Sequence, residues 1–555
     1  MNPALSPWLR WLCWVMAPAV LFVPFLLARA NFSGNWDTLF YGNVLAITSQ
    51  SLSSGNLFPR WLATANAGFG SPVILFYAPF AYILTALVNL PFAPLQPGID
   101  TQLVIGMYAS QVLSGFTAYL WLKRNFPERV AFIGSLLFVL LPYKFTYIYD
   151  HHNLSQLWSL AFLPLWMIAA ERLAAGDRRA TGLYALMFAL IYYIHSLSII
   201  AFGTVPAAYV LWFGRRQWRT NYPKLLLAQT LGIGMCLIYI LPQRDYRQWV
   251  NEQWFWSGPY DWRGNLYHID IFLCAYYGII ALAVAFAAKR CRALASVAGP
   301  SLFWAGVVGV VAFMNLPMSA FIWERISVLK YLQYPAGRLH SVAFMGAIYL
   351  ICVWLTYYKD MQALGPLAYR RATLWALIAA FAVFNAWRCE SFFTHPVMQQ
   401  TEMEDVRKAE IILPLQYQTK WGCIPPGTAL TLYRTGQIPS PVTDNGTIIS
   451  DVIWQPPSHI IFNALTQSDK ATATVRQCYF PLWHATDENG HEVIVSPDSK
   501  SGVVSLSLPK GMHRIALTFA APPLQKTAYW IASLSLLVSL LLGALPLKFL
   551  IYRKA

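Results

Sequence analysis

The sequence predicts an α-helical polytopic membrane protein of about 12 spans, with a C-terminal exterior domain of mostly β structure followed by a last transmembrane helix. Of the 555 residues, 57% are hydrophobic and only 12% are charged, whereas about 25% of the residues in a soluble domain are charged. Apolar runs of about 20 residues recur along the chain, and each can cross a bilayer as a helix. This composition excludes a water-soluble enzyme.

Basic residues separate the apolar runs and set the predicted orientation. The predicted spans are 8–28, 100–122, 130–143, 154–170, 180–195, 197–213, 225–242, 269–288, 298–316, 339–357, 371–388 and 525–547. Because cytoplasmic loops carry the excess of Lys and Arg, we place the basic clusters and both termini inside. The inside then holds 20 of the 40 basic residues and four acidic ones, which accounts for the whole net charge of +16. The charge is thus a topology signal and gives no support for nucleic-acid binding.

Residues 72–92 are a further apolar stretch that does not fit the charge pattern. Counting them as a span would move Lys123 and Arg124 outside and shift every later loop. We therefore interpret 72–92 as a re-entrant or interfacial helix on the outer side, with a shallow spanning hairpin as the alternative. Residues 28–30 resemble a cleavage site, but the apolar run before them is too long for a signal peptide. We expect an uncleaved first helix.

The chain divides into three predicted regions. Residues 1–388 form the membrane module, whose first exterior loop, 29–99, lies on the membrane surface with interfacial helices. Residues 389–524 form an exterior, periplasmic domain, and residues 525–555 form the terminal transmembrane helix and a basic cytoplasmic tail. The second half of the exterior domain alternates like strands in the segments TATVRQC, LWHAT, HEVIVSP, VVSLSLP and MHRIALTF. With the hairpin signal Asn489-Gly490, this predicts a small β-sandwich.

The eight cysteines show no metal-binding spacing. Three of them, Cys389, Cys423 and Cys478, belong to the exterior domain. If that compartment is oxidising, one disulfide forms there, and we favour the Cys389–Cys423 pair.

Polar residues concentrate at the outer ends of the predicted helices, where ionisable groups are costly unless they are paired or used. They fall in five stretches: NWDTLFYGN with Asp37; GNLFPRWLATANAGFGSP with Arg60 and Asn66; LPYKFTYIYDHHNLSQ with Lys144, Asp150, His151 and His152; Arg244 to Arg263; and YLQYPAGRLHS with Gln333, Tyr334, Arg338 and His340. His195, within an apolar segment, either marks a turn between helices or contacts substrate.

This set suits transfer of a sugar from a lipid-linked phosphate donor. A carboxylate can act as general base towards a sugar hydroxyl, Arg and Lys hold phosphate, and aromatic rings stack on sugars. Plainer interpretations stay open: Asp37 as a loop acid, the aromatic residues as an interfacial belt, and Arg338 as a snorkelling side chain. Asp150 and His151 form either a site for a divalent cation (Mg²⁺ or Mn²⁺) or simply a polar loop.

The order of these motifs resembles the C-type (GT-C) membrane glycosyltransferases, and in particular their bacterial branch labelled 6-pyruvoyl-tetrahydropterin synthase-related or YfhO-like. The resemblance is carried by an Asp soon after the first helix and by GNLFPRW, GFGSP, FYAPFAYIL, YLQYPAGR and CYFPLWHATDENGHEV. It implies an inverting transfer from a polyprenyl-phosphate-linked sugar to a cell-envelope glycan or lipid acceptor, at the outer face of the bacterial cytoplasmic membrane. It also implies that Asp37 is the base and that Asp150 is a second acidic residue.

We therefore predict a membrane glycosyltransferase with a role for each candidate. The catalytic residues are Asp37 and Asp150, the donor phosphate is bound by Arg60, Lys144 and Arg338, and substrate is contacted by His151, His152, His195, Gln333 and Tyr334. The β-sandwich either grips the acceptor glycan or braces the first loop. The alternatives are a non-catalytic membrane scaffold with the same fold and a transporter or flippase of a lipid-linked glycan. A transporter needs charged residues along a path through the bilayer, and the helix interiors are nearly free of charge.

Overall fold

The computed structural model describes residues 6–28, 36–53, 55, 59–145, 147–148, 153–251, 262–265, 297–332, 335–357, 405–406, 408–409, 411, 418–422, 425–440, 442–445, 447–455, 459–468 and 471–543. Its helices are α1 (Pro7–Ala28), α2 (Trp36–Ser53), α3 (Val73–Phe76), α4 (Phe80–Asn89), α5 (Ile99–Leu122), α6 (Glu128–Val139), α7 (Pro142–Phe145), α8 (Leu154–Ala174), α9 (Ala180–Ile194), α10 (Ser196–Phe202), α11 (Thr204–Phe213), α12 (Trp218–Tyr246), α13 (Trp262–Asn265), α14 (Ala298–Met314), α15 (Ala320–Arg325), α16 (Pro335–Tyr357), α17 (Pro426–Thr435) and α18 (Gln525–Gly543).

Several of these helices have the length and composition of membrane spans. Within the described residues, five segments pass this test. They are α5, α8, the segment Ser196–Trp249 that contains α10 to α12, α16 and α18. The bent pair formed by α14 and the segment 317–325, which meet at 89°, would make a sixth. The predicted spans 269–288 and 371–388 lie outside the described residues, so the total of about 12 spans stays a prediction.

Two predicted spans are shorter or more broken than the apolar runs suggested, and proline explains both. The predicted span 130–143 ends as helix α6 at Val139, because the residue before Pro142 is biased away from helical backbone angles. The predicted span 197–213 is divided into α10 and α11 at Gly203. Pro206 in the first turn of α11 has no N–H to continue the preceding helix.

The basic clusters that the structure describes gather at one end of the helical bundle. Arg10, near the start of α1, pairs with Glu128 at the start of α6. Arg124, just after α5, pairs with Glu171 near the end of α8 at 3.1 Å, and Lys224 in the first turns of α12 donates to a backbone carbonyl just after α8. These starts and ends therefore share one end of the bundle, as the charge pattern predicted.

Residues 72–92 do not form one continuous helix. They form α3 and α4, with a break at Tyr77–Pro79, and then enter the 3₁₀ turn Leu90–Leu95. Helix α4 packs along the first turns of α5, where Thr85 lies against Gly106 and Asn89 Nδ2 donates to the carbonyl of Gln102 at 3.0 Å. One face of α4 is thus buried in the bundle. That this stretch does not cross the membrane stays a prediction.

The C-terminal region is a two-layer antiparallel β structure. Its strands are β1 (Val442–Asn445), β2 (Thr447–Gln455), β3 (His459–Thr466), β4 (Ala471–Cys478), β5 (Trp483–Thr486), β6 (Glu492–Val493), β7 (Val495–Pro497), β8 (Val503–Leu508) and β9 (Gly511–Phe519). The sheet orders are β1-β4-β8-β7 and β2-β3-β9-β5-β6. The predicted strands and the turn at Gly490 are present, and they enclose a shared apolar core.

The β structure begins earlier than predicted. Strands β1 to β3 precede the first segment that was named as strand-like, TATVRQC. In β2 the register shifts between Ser450 and Ile453, and Asp451 has a φ of +51°. A bulge of this kind breaks the alternation of inward and outward residues on which strand prediction depends.

Cys478 is disulfide-bonded, and the described cysteines Cys13, Cys236 and Cys352 are free. The partner of Cys478 is therefore a cysteine outside the described residues. Our favoured pairing, Cys389–Cys423, left Cys478 free, and the structure corrects it on this point. Cys389 and Cys423 themselves lie outside the described residues.

Part of the first loop is inserted into the β domain, and the position of the loop on the membrane surface stays a prediction. We call residues 60–71 the clasp, because an antiparallel bridge between Leu62 and Ser71 closes this segment on itself. The Trp61 ring is fully buried in the core of the β domain, with its centroid 4.9 Å from that of Phe519 and 5.4 Å from that of Trp483. The β domain therefore braces the first loop, which was one of the two roles foreseen for it.

Glycine is required at position 70 of the clasp. Its φ is +78°, and a Cβ there would lie 2.5 Å from Trp61 Cζ2 and 2.7 Å from Gln477 Oε1. We expect Gly70→Ala to lower the free energy of unfolding of the β domain by about 1–3 kcal/mol, measured by urea unfolding of the purified protein. Gly490→Ala is the matched control, since its φ is +81° but nothing lies within 4 Å of its Cβ position. Equal losses for both variants would contradict the proposed crowding.

Candidate functional site

The candidate site lies at the end of the bundle opposite the basic clusters. Asp37 is the second residue of α2, and its side chain lies outside what the structure describes. One turn later, Phe40 packs its ring on Tyr77, with the centroids 5.4 Å apart. The Tyr77 hydroxyl donates to Ser155 Oγ at 3.2 Å, and its ring centroid lies 6.3 Å from that of His195. Tyr77 therefore joins the helix that carries Asp37 to two other candidate regions.

His195 marks the break between α9 and α10. Its backbone is extended, with φ −160° and ψ 101°, and Nδ1 is hydrogen-bonded to Ser198 Oγ at 2.8 Å. The ring is nonetheless buried and faces the Tyr77 side of the bundle. The turn role is thus confirmed, and contact of His195 with substrate stays a prediction.

Lys144 is a fully buried cation on the short helix α7. Its Nζ donates to Ser114 Oγ at 2.7 Å and lies 4.7 Å from the centroid of the Phe138 ring. Within the described residues, no carboxylate lies within ion-pair distance of this ammonium group. Burial lowers the pKa of Lys144 well below its usual range, because an uncompensated buried charge is costly. A bound anion would favour the charged form, which makes the site receptive to an anion.

Arg338 lies on the first turn of α16 and faces the segment that carries Lys144. It is buried and lies within electrostatic range of Tyr147 and of His195. The two segments are also joined directly, because the hydroxyls of Tyr147 and Ser341 are 2.9 Å apart. The structure thus brings the third and fifth predicted stretches together.

Arg60, the first residue of the clasp, is a second buried arginine. Its guanidinium lies over the ring of Tyr239 at 5.1 Å, and Nη2 is 3.5 Å from the carbonyl oxygen of Ile238. Nε and Nη1 have no hydrogen-bond partner, and no ion pair joins Arg60 to another described residue. Buried unsatisfied donors are expensive, and phosphate oxygens are suitable acceptors for these two nitrogens.

An apolar cavity of about 460 Å³ adjoins this polar region across α16. Side chains of α10, α11, α14 and α15 line it, and α16 contributes Leu339 and Val342. Residues three apart share a helix face, so Leu339 and Val342 face the cavity while Arg338 and Ser341 lie on the neighbouring face. The apolar chamber and the buried basic region therefore meet neighbouring faces of one helix.

The described arginines of the fourth predicted stretch do not join this cluster. Arg244 is exposed and pairs with its neighbour Asp245 at 2.7 Å, and Arg247 donates to the hydroxyl of Tyr331 at 3.1 Å. Arg263 is exposed and lies over the ring of Trp262. These charges lie on the surface after α12, where they remain solvated.

The remaining predicted site residues, Asp150, His151, His152, Gln333 and Tyr334, lie outside the described residues. The second acid and the Mg²⁺ or Mn²⁺ site at Asp150 and His151 are therefore still predictions. Among the residues that the structure does describe, no group of three or more His, Cys, Asp or Glu side chains is placed to hold a metal ion.

Several polar residues of the site were not singled out from the sequence. Tyr77 and Tyr239 occur in apolar runs that are typical of buried helices, and Ser155, in the third polar stretch, was given no role. Gln243 joins two elements, because its Nε2 donates to the carbonyl of Phe76 at 2.9 Å while its Oε1 accepts from Tyr192 at 2.9 Å. No local pattern marks these residues, since their partners are distant in sequence.

Comparison with known proteins gives weak structural similarity. No family model matches the chain, and no curated protein matches it. The arabinofuranosyltransferase AftD from Mycobacteria has 15% sequence identity and a TM-score of 0.40, over 69% of this chain and 28% of that one. The apo oligosaccharyltransferase of Archaeoglobus fulgidus has 14% identity and a TM-score of 0.38, over 75% of this chain and 61% of that one. The chain spans less than two thirds of either protein, and similarity at this level assigns neither fold nor activity to it.

Proposed function

We propose that this protein is an inverting membrane glycosyltransferase of the GT-C type, which uses a polyprenyl-phosphate-linked sugar and acts at the outer face of the cytoplasmic membrane. The acceptor is a glycan or lipid of the cell envelope. The observation that carries the proposal is that α16 lines the apolar cavity with Leu339 and Val342 and carries the buried Arg338 on the neighbouring face. An amphiphile with an isoprenoid chain and a phosphate head matches these two faces.

The buried cations would bind the phosphate of the donor and stabilise it as it leaves. Arginine can grip two phosphate oxygens with its planar fork, whereas lysine acts as a point charge. Arg60, Lys144 and Arg338 are all held in surroundings of low polarity, where a charge interaction is stronger than in water. Cations fixed in advance stabilise developing negative charge without reorganisation.

Asp37 would supply the base for this reaction. The acceptor hydroxyl attacks the anomeric carbon, a new glycosidic C–O bond forms, and the bond from that carbon to the phosphate oxygen breaks. The hydroxyl proton passes to the Asp37 carboxylate, and the polyprenyl phosphate leaves with the electron pair, so the configuration inverts. The packing of Phe40 on Tyr77 supports this role, because it holds the start of α2 beside the candidate site.

Two observations support placing the site on the exterior side of the membrane. The Lys- and Arg-rich clusters among the described residues occupy the opposite end of the bundle, as expected for the cytoplasmic side. Cys478 of the β domain is disulfide-bonded, which suits an oxidising compartment.

The distribution of buried charge favours an enzyme over a transporter. Among the described residues, the buried Arg and Lys side chains lie at the two ends of the bundle, with Arg60, Lys144 and Arg338 at one end and Arg172 at the other. A path for a charged head group would need such residues at intermediate depths as well.

The cavity provides the test of the lipid donor. Gly306 lines the cavity, and Gly309, one turn further along α14, does not. A Cβ added at either glycine would meet no atom within 4 Å, so both positions tolerate a side chain. We expect Gly306→Phe to weaken binding of undecaprenyl phosphate in nanodiscs about tenfold, because the ring occupies the chamber. Gly309→Phe is the matched control and is expected to bind as wild type; equal affinity for both variants would contradict the lipid assignment.

A further inference from the structure

The side chain of Gln477, on β4, holds the clasp by its amide group. The residue is fully buried. Its Nε2 donates to the carbonyls of Ala63 and Gly68 at 3.2 and 2.6 Å, and its Oε1 accepts from Trp61 Nε1. One side chain of the β domain therefore satisfies backbone and side-chain groups at both ends of the turn.

Other contacts fix the same turn in a strained shape. The backbone N–H of Cys478 donates to the carbonyl of Phe69 at 2.6 Å, and that of Ala67 donates to the carbonyl of Ala409 at 2.6 Å. Asn66 and Ala67 adopt left-handed backbone angles, with φ values of +56° and +57°. Non-glycine residues keep such angles only where several surrounding contacts hold them there. Here the β domain supplies those contacts.

Arg60 directly precedes this anchored turn. Trp61 is buried in the core of the β domain, whereas the Arg60 guanidinium contacts Tyr239 and Ile238 on α12. On the α12 side, a cation–π contact at 5.1 Å and a polar contact at 3.5 Å are the contacts that hold it. The position of this guanidinium therefore depends chiefly on the clasp.

We propose that Gln477 is a positioning residue for Arg60, and that the exterior β domain thereby completes the binding site for the donor phosphate. The proposal rests on the proposed function, because Arg60 is assigned to the phosphate there. Gln477 does not itself touch the lipid. Gln477 holds Trp61 and the turn in the place from which Arg60 reaches α12. Replacing Gln477 would therefore weaken phosphate binding by displacing Arg60.

A double-mutant cycle tests this coupling. We would measure the Kd of the full-length protein in nanodiscs for undecaprenyl phosphate, for wild type, Arg60→Gln, Gln477→Ala and the double variant. Each single variant is expected to bind about tenfold more weakly than wild type. The double variant is expected to bind no more weakly than Arg60→Gln, because residues that act through one contact are not additive.

A control separates positioning from general destabilisation. Thr466→Val removes a buried hydrogen bond elsewhere in the β domain, from Oγ1 to the carbonyl of Gly511, and is expected to bind as wild type. The positioning role is overturned if Gln477→Ala binds as wild type, if its effect adds to that of Arg60→Gln, if Thr466→Val is equally weak, or if Arg60→Gln has no effect. None of these results contradicts a lipid-linked phosphate as the donor. Failure of the wild type to bind undecaprenyl phosphate, by contrast, overturns the proposed function.

Discussion

Replacing Trp61 with alanine is expected to lower the free energy of unfolding of the β domain by about 3–5 kcal/mol. The ring is fully buried against Phe480, Trp483 and Phe519, so its loss leaves a cavity between the clasp and both sheets. It also leaves the Gln477 carbonyl without the donor that it now accepts from, and an orphaned buried acceptor adds its own cost. Pulse proteolysis of the purified protein in urea measures the change.

Two further variants make this result specific. Trp61→Phe retains an aromatic ring and loses only the N–H group, so we expect a smaller loss of about 1–3 kcal/mol. Trp249→Ala removes a partly exposed tryptophan that stacks on Trp421 at 5.2 Å beside the β domain. Its loss should cost less than that of Trp61. If Trp61→Ala destabilises the domain no more than Trp249→Ala, the clasp is not an integral part of the β core.

The elements that could be predicted from the sequence are those with a local signal. Helices α1, α5, α8 and α16 follow from uninterrupted apolar runs, and strands β4, β5, β8 and β9 follow from alternation with turn residues between them. Where a local irregularity interrupts the pattern, prediction failed, as at the bulge in β2. The break in the predicted span 197–213 was missed for a similar reason. The helix is interrupted there, but the run of apolar residues is not.

The clasp could not be predicted because its determinants are far apart in the chain. Trp61 and Gln477 are separated by 416 positions, and neither belongs to a motif that specifies the other. An apolar, glycine-rich loop after a first helix is typical of a segment at the membrane surface. Only the packing of this loop into the β domain shows that its tryptophan belongs to the core of that domain.

The candidate site was predicted in part. The sequence singled out Arg60, Lys144, Arg338 and His195, and the structure buries all four at the same end of the bundle. Their roles stay predictions, as does the assignment of donor and acceptor. Tyr77 was not foreseen, because an isolated tyrosine in an apolar run gives no sign of the hydrogen bond and ring contacts that place it between three elements.

Asp37→Asn is expected to reduce sugar transfer by about 10²–10⁴-fold, the usual contribution of a general base. Asparagine has nearly the same shape as aspartate but does not take up the proton of the acceptor hydroxyl. The folded protein should be retained at the same abundance in the membrane. Asp100→Asn is the matched control, because this partly exposed acid lies in the first turn of α5 and has no assigned role.

The most direct measurement compares cells that carry the wild type, Asp37→Asn, Asp100→Asn or no copy of the protein. Mass spectrometry would follow both the surface glycans and the polyprenyl-phosphate sugars at equal membrane abundance of the variants. The proposed function predicts that Asp37→Asn matches the deletion, with one sugar missing outside and its lipid-linked donor accumulating, while Asp100→Asn matches wild type. If Asp37→Asn matches wild type while the deletion changes the glycans, Asp37 is not the base, and a transport or scaffold function takes the place of the transferase.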